Sequence, residues 1–335
     1  MTDTNFSTLL LEWYNRHGRN LPWRVKGGAH PDPYVILVSE FMLQQTTVKT
    51  VIPYFHRFMK RFPDIQSLAA AELEEVYQLW QGLGYYTRAR SLHATAQIIM
   101  DKFGGIFPSA KEDVLKLKGI GEYTVASFLS LAFNQPQTVI DGNVIRIICR
   151  LFHLTGPVEK IMPQIREKAE TISDKTRAAD YASAVMDLGA VICTPKKPQC
   201  LLCPWQQFCQ SKDLPDLEQI PNRNKPAKKE KFGFVHLIFN SKNEILLRKR
   251  TEKGLLSGLY EFPWAETKLY PQAADSELRI SHVFTHFKLT LNICTCQMEK
   301  PDGNGKFIPQ TDLEKYPLST LMKKAYNRYK TGTEK

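Results

Sequence analysis

Four of the seven cysteines lie within the 17-residue stretch CTPKKPQCLLCPWQQFC, residues 193–209. They are separated by six, two and five residues, so their thiols must converge if this stretch folds compactly. Four such thiols can form two disulfides, ligate one zinc ion or hold an iron–sulfur cluster. The spacing alone leaves all three alternatives open.

The start of the chain bears on the redox state of these thiols. Residues 1–20, MTDTNFSTLLLEWYNRHGRN, lack the basic start, apolar core and small-residue cleavage site of an export signal. We therefore expect an intracellular protein, in the cytoplasm if the source is bacterial, with reduced thiols. Metal or cluster ligation is then favoured over disulfides.

Length and charge indicate a two-domain protein with a polyanionic partner. The chain has 335 residues, 43% of them hydrophobic, enough to build more than one core. Its formal net charge is +11, as expected for a protein that neutralises phosphates. A basic surface that serves only solubility is the alternative. With no long uninterrupted apolar run, no membrane association is expected.

The hydrophobic period changes along the chain. Residues 6–210 carry apolar residues at helical spacing, and residues 67–84, SLAAAELEEVYQLWQGLG, predict one amphipathic helix. Residues 211–231 are rich in Pro, Lys and Asn and predict a linker. Period-two alternation follows in FGFVHLIFNSKNEILLRKR and VFTHFKLTLNICTCQ. We therefore predict an all-α domain over 1–210 and an α/β domain over 232–335.

The segment LKGIGEYTVASFLSLAF, residues 117–133, places Gly119 and Gly121 between two helical stretches. Such a helix–hairpin–helix element exposes backbone N–H groups and a helix N-terminus to an anion such as a DNA phosphate. An ordinary helix C-cap followed by a new helix is the alternative.

Two carboxylates are candidates for chemistry. Glu40 lies in the apolar run DPYVILVSEFMLQQTTV, where desolvation would raise its pKa and suit a proton donor. Asp141, in VIDGNVIRIICRLF, precedes a helical run that also contains Asn143. Alternatively, Glu40 lies on the polar stripe of its helix and Asp141 serves only as a helix N-cap. Gln44 and Gln45 are amides suited to replacing a base-pairing partner.

The segment WQGLGYYTRARSLH, residues 80–93, interleaves Tyr85 and Tyr86 with Arg88 and Arg90. Such a mixture can bind phosphates while a ring wedges into the base stack. Burial of the two tyrosines behind a glycine cap is the alternative.

Taken in order, SEFMLQQT, GLGYYTRAR, LKGIGEYT, VIDGNV and the four cysteines resemble the endonuclease III superfamily of DNA glycosylases, and within it the adenine DNA glycosylases of MutY type. The resemblance covers nearly the whole chain. It implies a multidomain fold in which an all-α helix–hairpin–helix domain with a [4Fe–4S] loop precedes an α/β Nudix-like domain. Cys193, Cys200, Cys203 and Cys209 would hold the cluster, with zinc as the alternative.

The resemblance also implies roles for residues of the first domain. Glu40 matches the general acid that protonates adenine N7, and Asp141 the carboxylate that stabilises the oxocarbenium-like sugar, with Asn143 beside it. Gln45 and Tyr85 match residues that fill the space beside the orphaned base after the adenine is flipped out. Gln44, Arg88, Gly119 and Gly121 complete the expected DNA-binding residues.

One departure from the superfamily predicts the reaction type. Members that cleave the strand carry a lysine two residues after the second hairpin glycine, and Tyr123 stands there in this chain. Without that amine no Schiff base forms, so strand cleavage should be absent or weak. Lys118 stands where the family usually has proline and adds a charge beside the hairpin.

The second domain contains RTEKGLLSGLYEFPWAE, which resembles the Nudix-like domain of adenine glycosylases. No RE-x-x-EE cluster follows, so metal-dependent nucleotide hydrolysis is not expected. Phe284, Thr285 and His286 resemble the family's Phe-Ser-His loop that inspects 8-oxoguanine, with threonine in place of serine.

These observations predict a monomeric, monofunctional adenine glycosylase of base excision repair. Its expected partner is double-stranded DNA with adenine opposite 8-oxoguanine or guanine. The alternatives are an endonuclease III-like glycosylase and lyase for oxidised pyrimidines, and a non-enzymatic DNA-binding protein. Tyr123 disfavours the first, and the presence of both Glu40 and Asp141 disfavours the second.

Overall fold

The computed structural model describes residues 4–25, 31–222, 228–252 and 254–333. They form two compact units. The helical unit comprises the described residues within 1–69 and 94–225, and the sheet unit those within 70–93 and 226–335. None of the described helices is long and apolar enough to cross a membrane.

Helices account for the regular structure of the helical unit, as the 3.6-residue period predicts. In chain order they are α1 (Thr4–His17), α2 (Pro33–Leu43), α3 (Val48–Arg61), α4 (Ile65–Ala69), α6 (Thr87–Phe103, which begins in the sheet unit), α7 (Lys111–Val114), α8 (Glu122–Phe133), α9 (Gly142–Leu151), α10 (Val158–Thr171) and α11 (Ala178–Val191).

The core of the helical unit lies where α1, α9, α10 and α11 pack together. Trp205, from the cysteine-rich segment, is buried in this core and donates its indole N–H to the Phe6 carbonyl at 2.9 Å. The cysteine-rich segment is therefore anchored to α1 by an aromatic side chain.

The sheet unit contains one mixed seven-stranded sheet, together with α5 (Leu73–Trp80) and α12 (Thr320–Thr333). Its strands are β1 (Lys229–Phe239), β2 (Ile245–Lys249), β3 (Tyr260–Glu261), β4 (Trp264–Ala265), β5 (Ala274–Val283), β6 (Phe287–Gln297) and β7 (Gly305–Ile308). The main path runs β3-β2-β1-β6-β5, with β4 paired to β1 and β7 to β2. The two alternating segments of the sequence thus become the β1–β2 hairpin and the β5–β6 hairpin, and Leu321, Met322 and Ala325 of α12 join the core of the sheet.

The predicted single helix over 67–84 is wrong. The structure has two short helices there, α4 and α5, with Glu72 as the N-cap of the second in an extended conformation. Leu68 is buried in the helical unit, whereas Tyr77 and Trp80 are buried in the sheet unit. Burial in two different cores therefore outweighs the helical propensity of the alanine run.

The predicted linker over 211–231 is partly folded. Ser211, Leu217 and Ile220 are buried, and Ile220 belongs to the core of the helical unit. At the other end, β1 begins at Lys229. Residues 223–227 of the predicted linker lie outside the described residues.

Candidate active site

One cavity of about 960 Å³ opens within the helical unit and brings together residues from distant parts of the sequence. Its walls include all four predicted catalytic residues: Glu40, Tyr123, Asp141 and Asn143. The volume is in the range of small-molecule sites, large enough to admit a flipped purine nucleoside.

Glu40 reaches the cavity from the interior of α2. This helix begins at Pro33 with Asp32 as N-cap, whose carboxylate accepts the Tyr34 N–H at 2.8 Å. Glu40 is 6% exposed between apolar neighbours, and burial raises its pKa from 4.5 to about 7. The Ser127 hydroxyl and Arg24 lower this pKa, while the charge of Asp141 raises it further. Near neutral pH, Glu40 is therefore a carboxylic acid able to release a proton.

Asp141 is the N-cap of α9, as the capping interpretation predicted, and it also lines the cavity. Its Oδ1 accepts the backbone N–H groups of Asn143 and Val144 at 2.8 and 2.7 Å. Its Oδ2 accepts the Asn143 side-chain amide at 2.9 Å. These hydrogen bonds fix the orientation of the carboxylate at the N-terminus of the helix.

Asn143 is held in turn by Arg146, which donates to its Oδ1 at 2.8 Å. Arg146 also donates to the carbonyls of Gly189 and Cys193, at 2.7 and 2.8 Å. A Cβ atom on Gly189 would lie 2.6 Å from the Asn143 Cβ, so only glycine allows α11 to approach α9 this closely. Arg146 therefore links Asn143, which donates to Asp141, to the cysteine-rich segment through hydrogen bonds.

The hydroxyl end of Tyr123 completes this side of the cavity, with its oxygen 4.0 Å from the Met186 sulfur. Burial, followed by the carboxylates of Glu40 and Asp141, raises the Tyr123 pKa well above its ordinary value. Tyr123 is therefore a neutral phenol near neutral pH.

Two arginines that line the cavity, Arg19 and Arg24, were not predicted from the sequence, and they share one buried carboxylate. Asp187, fully buried in α11, accepts hydrogen bonds from Arg19 Nε and Arg24 Nη1, both at 2.8 Å. Burial would raise the Asp187 pKa, but the two guanidinium groups outweigh it and lower the value. Trp23 and Tyr14 also line the cavity. The run GRNLPWR, with arginines on both sides of a tryptophan, was the available signal.

The hairpin glycines lie between α7 and α8, at the surface. Gly119 has a φ of +74°, which side-chain-bearing residues seldom adopt, and Gly121 is the N-cap of α8. The carbonyl of Lys118, the residue that departs from the family pattern, is held by the Thr95 hydroxyl at 3.0 Å. The N-terminus of α8 is thus presented to solvent on a fixed turn.

Gln45 and Tyr85 share an unusual backbone conformation. Their φ angles are +57° and +50°, in the left-handed region that is strained for such residues, and both side chains are exposed. Strained, exposed residues are concentrated at functional sites. Gln44, by contrast, is partly buried, and its amide donates to the Thr124 hydroxyl at 3.4 Å.

Arg88, predicted to bind DNA, is buried in the structure. Arg88 is 6% exposed, and its guanidinium donates to the carbonyl of Gly84 at 3.1 Å while lying over the rings of Trp80 and Tyr85. Burial lowers its pKa to about 10. Arg88 therefore supports the turn that carries Tyr85 from the inside.

In the sheet unit, Phe284, Thr285 and His286 form the three-residue loop between β5 and β6. The Phe284 N–H donates to the Phe287 carbonyl at 2.8 Å, and the rings of Phe284 and Phe287 lie 4.8 Å apart. Thr285 and His286 are exposed, and Thr285 Oγ1 lies 2.8 Å from Tyr85 Oη.

The four cysteines line a small cavity of their own, of about 30 Å³. Arg150, 1% exposed, lies beside it and donates to the carbonyls of Thr194, Pro195 and Ile220 at 2.6, 3.0 and 3.0 Å. Its Nη1 also lies 3.6 Å from the Cys193 sulfur. Burial raises the pKa of Cys203 to about 12, so an empty loop would hold protonated thiols that metal ions must deprotonate.

This donor set fits a cluster better than zinc. Among residues 4–25, 31–222, 228–252 and 254–333, no three His, Cys, Asp or Glu side chains are arranged to hold a single metal ion. Four thiols around a shared cavity can each bind one iron of a cubane cluster. When bound, the cluster crosslinks four points of the loop.

Comparisons with known proteins agree with this geometry. Residues 38–171 match the HhH-GPD superfamily of base excision DNA repair proteins, residues 193–209 the iron-sulfur binding domain of endonuclease III, and residues 234–328 the NUDIX domain. An adenine DNA glycosylase of Buchnera aphidicola subsp. Baizongia pistaciae is 39% identical over 78% of this chain and 74% of its own. That of Mus musculus is 31% identical over 99% of this chain and 80% of its own.

This chain belongs to the adenine DNA glycosylases. The glycosylase hydrolyses an N-glycosidic bond in DNA during base excision repair, and its loop 193–209 carries a [4Fe–4S] cluster. Among solved structures, a thermostable thymine-DNA glycosylase is 29% identical, with a TM-score of 0.56 over 62% of this chain and 95% of the other. A non-covalent endonuclease III–DNA complex, 22% identical, has a TM-score of 0.52 over 63% of this chain and 96% of the other, and supports the fold.

The glycosylase is expected to be brown when purified, with iron and acid-labile sulfide in equal amounts. Cys209→Ser should lose both and unfold at lower temperature, because one corner of the cluster loses its ligand. Cys296→Ser, at a partly buried cysteine of β6, is the matched control and should keep both. Colourless protein with stoichiometric zinc would contradict the assignment.

Proposed function

We propose that the protein is a monofunctional glycosylase that removes adenine paired with 8-oxoguanine or guanine, and that it acts as a monomer on DNA inside the cell. The observation that carries the chemistry is one cavity lined by two carboxyl groups in different surroundings. Glu40 has a pKa of about 7, and Asp141 is held by three hydrogen bonds at a helix N-terminus.

Glu40 is the general acid of this proposal. Adenine leaves poorly as an anion, and protonation at N7 lets it leave as a neutral base. A buried carboxyl group that titrates near neutral pH holds its proton until the base enters the cavity, yet releases it easily. As the bond from C1′ to the base breaks, the bonding electrons go to the protonated adenine.

Asp141 is the group that stabilises the positive charge left on the sugar. Its carboxylate accepts two backbone N–H groups and the Asn143 amide. Asn143, held by Arg146, keeps the carboxylate in one orientation. Water then adds at C1′ and gives up a proton, so the products are adenine and an abasic site, as in glycoside hydrolysis.

Tyr123 supports the absence of lyase activity. Its neutral phenol lines the cavity where a strand-cleaving relative would carry a lysine, and a phenol cannot form a Schiff base with the sugar. The strand should therefore remain intact at the abasic site.

Two surfaces are proposed to hold the DNA. The exposed turn at Gly119 and Gly121 presents backbone N–H groups to a phosphate. Gln44 and Gln45, at the end of α2, and Tyr85 fill the stack after the adenine leaves it. The strained backbone at Gln45 and Tyr85 supports this role.

The loop of Phe284, Thr285 and His286 is proposed to read the opposite base. Thr285 offers an exposed hydroxyl 2.8 Å from that of Tyr85, so two hydroxyls are presented together. Phe284 is held from behind by the Phe287 ring. Hydrogen-bonding groups placed in this way can distinguish 8-oxoguanine from guanine at its altered edge.

The test uses duplexes with adenine opposite 8-oxoguanine, adenine opposite guanine, and an oxidised pyrimidine, each assayed with and without alkali. We expect adenine release from the first two, faster with 8-oxoguanine, and strand breaks only after alkali. Thr285→Ala should reduce the difference in excision rate between adenine opposite 8-oxoguanine and adenine opposite guanine. Release of the oxidised pyrimidine, or strand breaks without alkali, would support the endonuclease III-like alternative instead.

A further inference from the structure

A stripe of polar residues along α5 joins the glycosylase segment that carries Tyr85 to the C-terminal half of the chain. Residues 70–93 lie inside the match to the HhH-GPD superfamily, yet they pack into the sheet unit. Glu74, Gln78 and Gln81 follow one another at intervals of four and three residues, so they share one face of α5 and its C-cap. We call these three residues the α5 stripe.

The two glutamines of the stripe bind backbone carbonyls just before α12. Gln78 donates its amide to the Lys315 carbonyl at 2.6 Å. Gln81 donates to the carbonyls of Tyr316 and Leu318, at 3.3 and 3.0 Å. Backbone acceptors are fixed in space in a way that flexible side chains are not, so these contacts define the position of α5 against the segment that leads into α12.

At the other end of the stripe, Glu74 forms an ion pair with Lys249, at the end of β2. In the segment that follows β2 in the chain, the Ser257 hydroxyl lies 3.5 Å from Arg90 Nη1. The stripe therefore contacts the C-terminal half both before α12 and at β2.

Each contact region is followed in the chain by a segment that lines a cavity together with the proposed lesion-reading loop. A cavity of about 280 Å³ in the sheet unit is lined by residues of four segments: 84–87, 254–257, 282–287 and 319–321. The first contains Tyr85 and the third contains Thr285. The second follows β2, and the fourth directly follows the carbonyls that the glutamines bind.

The contact between Tyr85 and Thr285 is too weak to set this arrangement alone. It is one hydrogen bond between two hydroxyls on exposed residues, where water competes for both partners. The α5 stripe adds three amide hydrogen bonds to backbone carbonyls and one ion pair. Together they hold Tyr85 and Thr285 at a defined separation.

We propose that Glu74, Gln78 and Gln81 are positioning residues that determine opposite-base specificity, by holding the Phe284–Thr285–His286 loop in register with Tyr85. This inference rests on the proposed reading of 8-oxoguanine by that loop. None of these three residues is among the described residues that line the adenine cavity, so we expect them to act on discrimination and to leave the excision chemistry unaltered.

The test compares single-turnover excision of adenine opposite 8-oxoguanine and opposite guanine, at one salt concentration, in the full-length protein. Gln78→Ala with Gln81→Ala should lower the ratio of the two rates roughly tenfold, because small misplacements of a recognition group have large kinetic effects. The rate on adenine opposite guanine should be unchanged. Gln97→Ala, at an exposed glutamine of α6, is the matched control and should keep the wild-type ratio.

Two further variants separate positioning from a general loss of structure. Glu74→Lys should lower the ratio, and adding Lys249→Glu should restore it by re-forming the pair with reversed charges. Thr285→Ala added to the two glutamine substitutions should lower the ratio no further, since both act through the same loop. Cluster absorbance and melting temperature confirm that each variant is folded.

The inference would be overturned if the folded double glutamine variant kept the wild-type ratio of excision rates. It would also be overturned if the glutamine substitutions and Thr285→Ala lowered that ratio independently, so that the combined variant showed the product of the two effects. Those results would leave the proposed function intact. Wild-type protein that releases adenine equally fast from both duplexes would instead refute the proposed lesion reading, and this inference with it.

Discussion

Glu40→Gln is expected to reduce adenine release by about 100- to 10,000-fold, the usual contribution of a general acid. Glutamine keeps the shape and hydrogen-bonding capacity of the side chain but has no proton to transfer to the base. Single-turnover excision on adenine opposite 8-oxoguanine measures the loss, and a binding titration on the same duplex should remain near wild type. Near-normal excision by this variant would remove Glu40 from the mechanism.

The pH dependence supplies a second readout of the same residue. Because the Glu40 pKa is about 7, wild-type excision should be greatest below that value and fall roughly tenfold per pH unit well above it. The stability of the folded protein should also fall as the pH rises. A folded pKa raised from 4.5 to about 7 means that stability is lost as pH rises through this interval. Glu40→Gln should abolish that loss, so its melting temperature should exceed that of wild type above pH 7.

Asp141→Asn is expected to slow excision by about 100- to 1,000-fold, comparable to removing one electrostatic stabiliser of a transition state. Asparagine can still accept the N–H groups of Asn143 and Val144, so the cap of α9 survives, but the negative charge facing the sugar is gone. The expected cost in stability is only about 0.3–1 kcal/mol, from the lost interaction with the helix dipole.

Asp32→Asn provides the matched control for this substitution. Asp32 is also a helix N-cap that accepts a backbone N–H at 2.8 Å, but it does not line the adenine cavity. Both variants should lose similar stability in thermal melts, and only Asp141→Asn should lose excision. Equal kinetic losses in the two variants would show that Asp141 acts as a cap and nothing more.

Much of the site was readable in the sequence, because its signals are local. The four cysteines lie within 17 residues, the hairpin glycines are two residues apart, and Asp141 precedes its helix directly. Each of these features needs only a short segment to form, so spacing and residue type located it, and the family resemblance then supplied its expected role. The alternating runs of the second half likewise predicted strands, and β1, β2 and the β5–β6 hairpin are present.

Other properties of the site came only from tertiary packing. The sequence left Glu40 equally compatible with a polar stripe, and burial in the cavity wall is what raises its pKa. Arg88 looks like a phosphate ligand in a basic, aromatic segment, yet the turn folds back over it. Asp187 meets Arg19 and Arg24 across more than 160 residues, a pairing that no local pattern reveals.

The sequence by itself thus determined the helical and sheet halves and the place of the cluster loop and of the two candidate carboxylates, because backbone propensity, capping and ligand spacing operate over a few residues. Tertiary structure alone decided which carboxylate is desolvated, which arginine is buried, and that residues 70–93 pack with the C-terminal half. Solvation, and hence pKa and exposure, depends on atoms contributed by distant segments. A local sequence pattern does not show which distant segments will contribute those atoms.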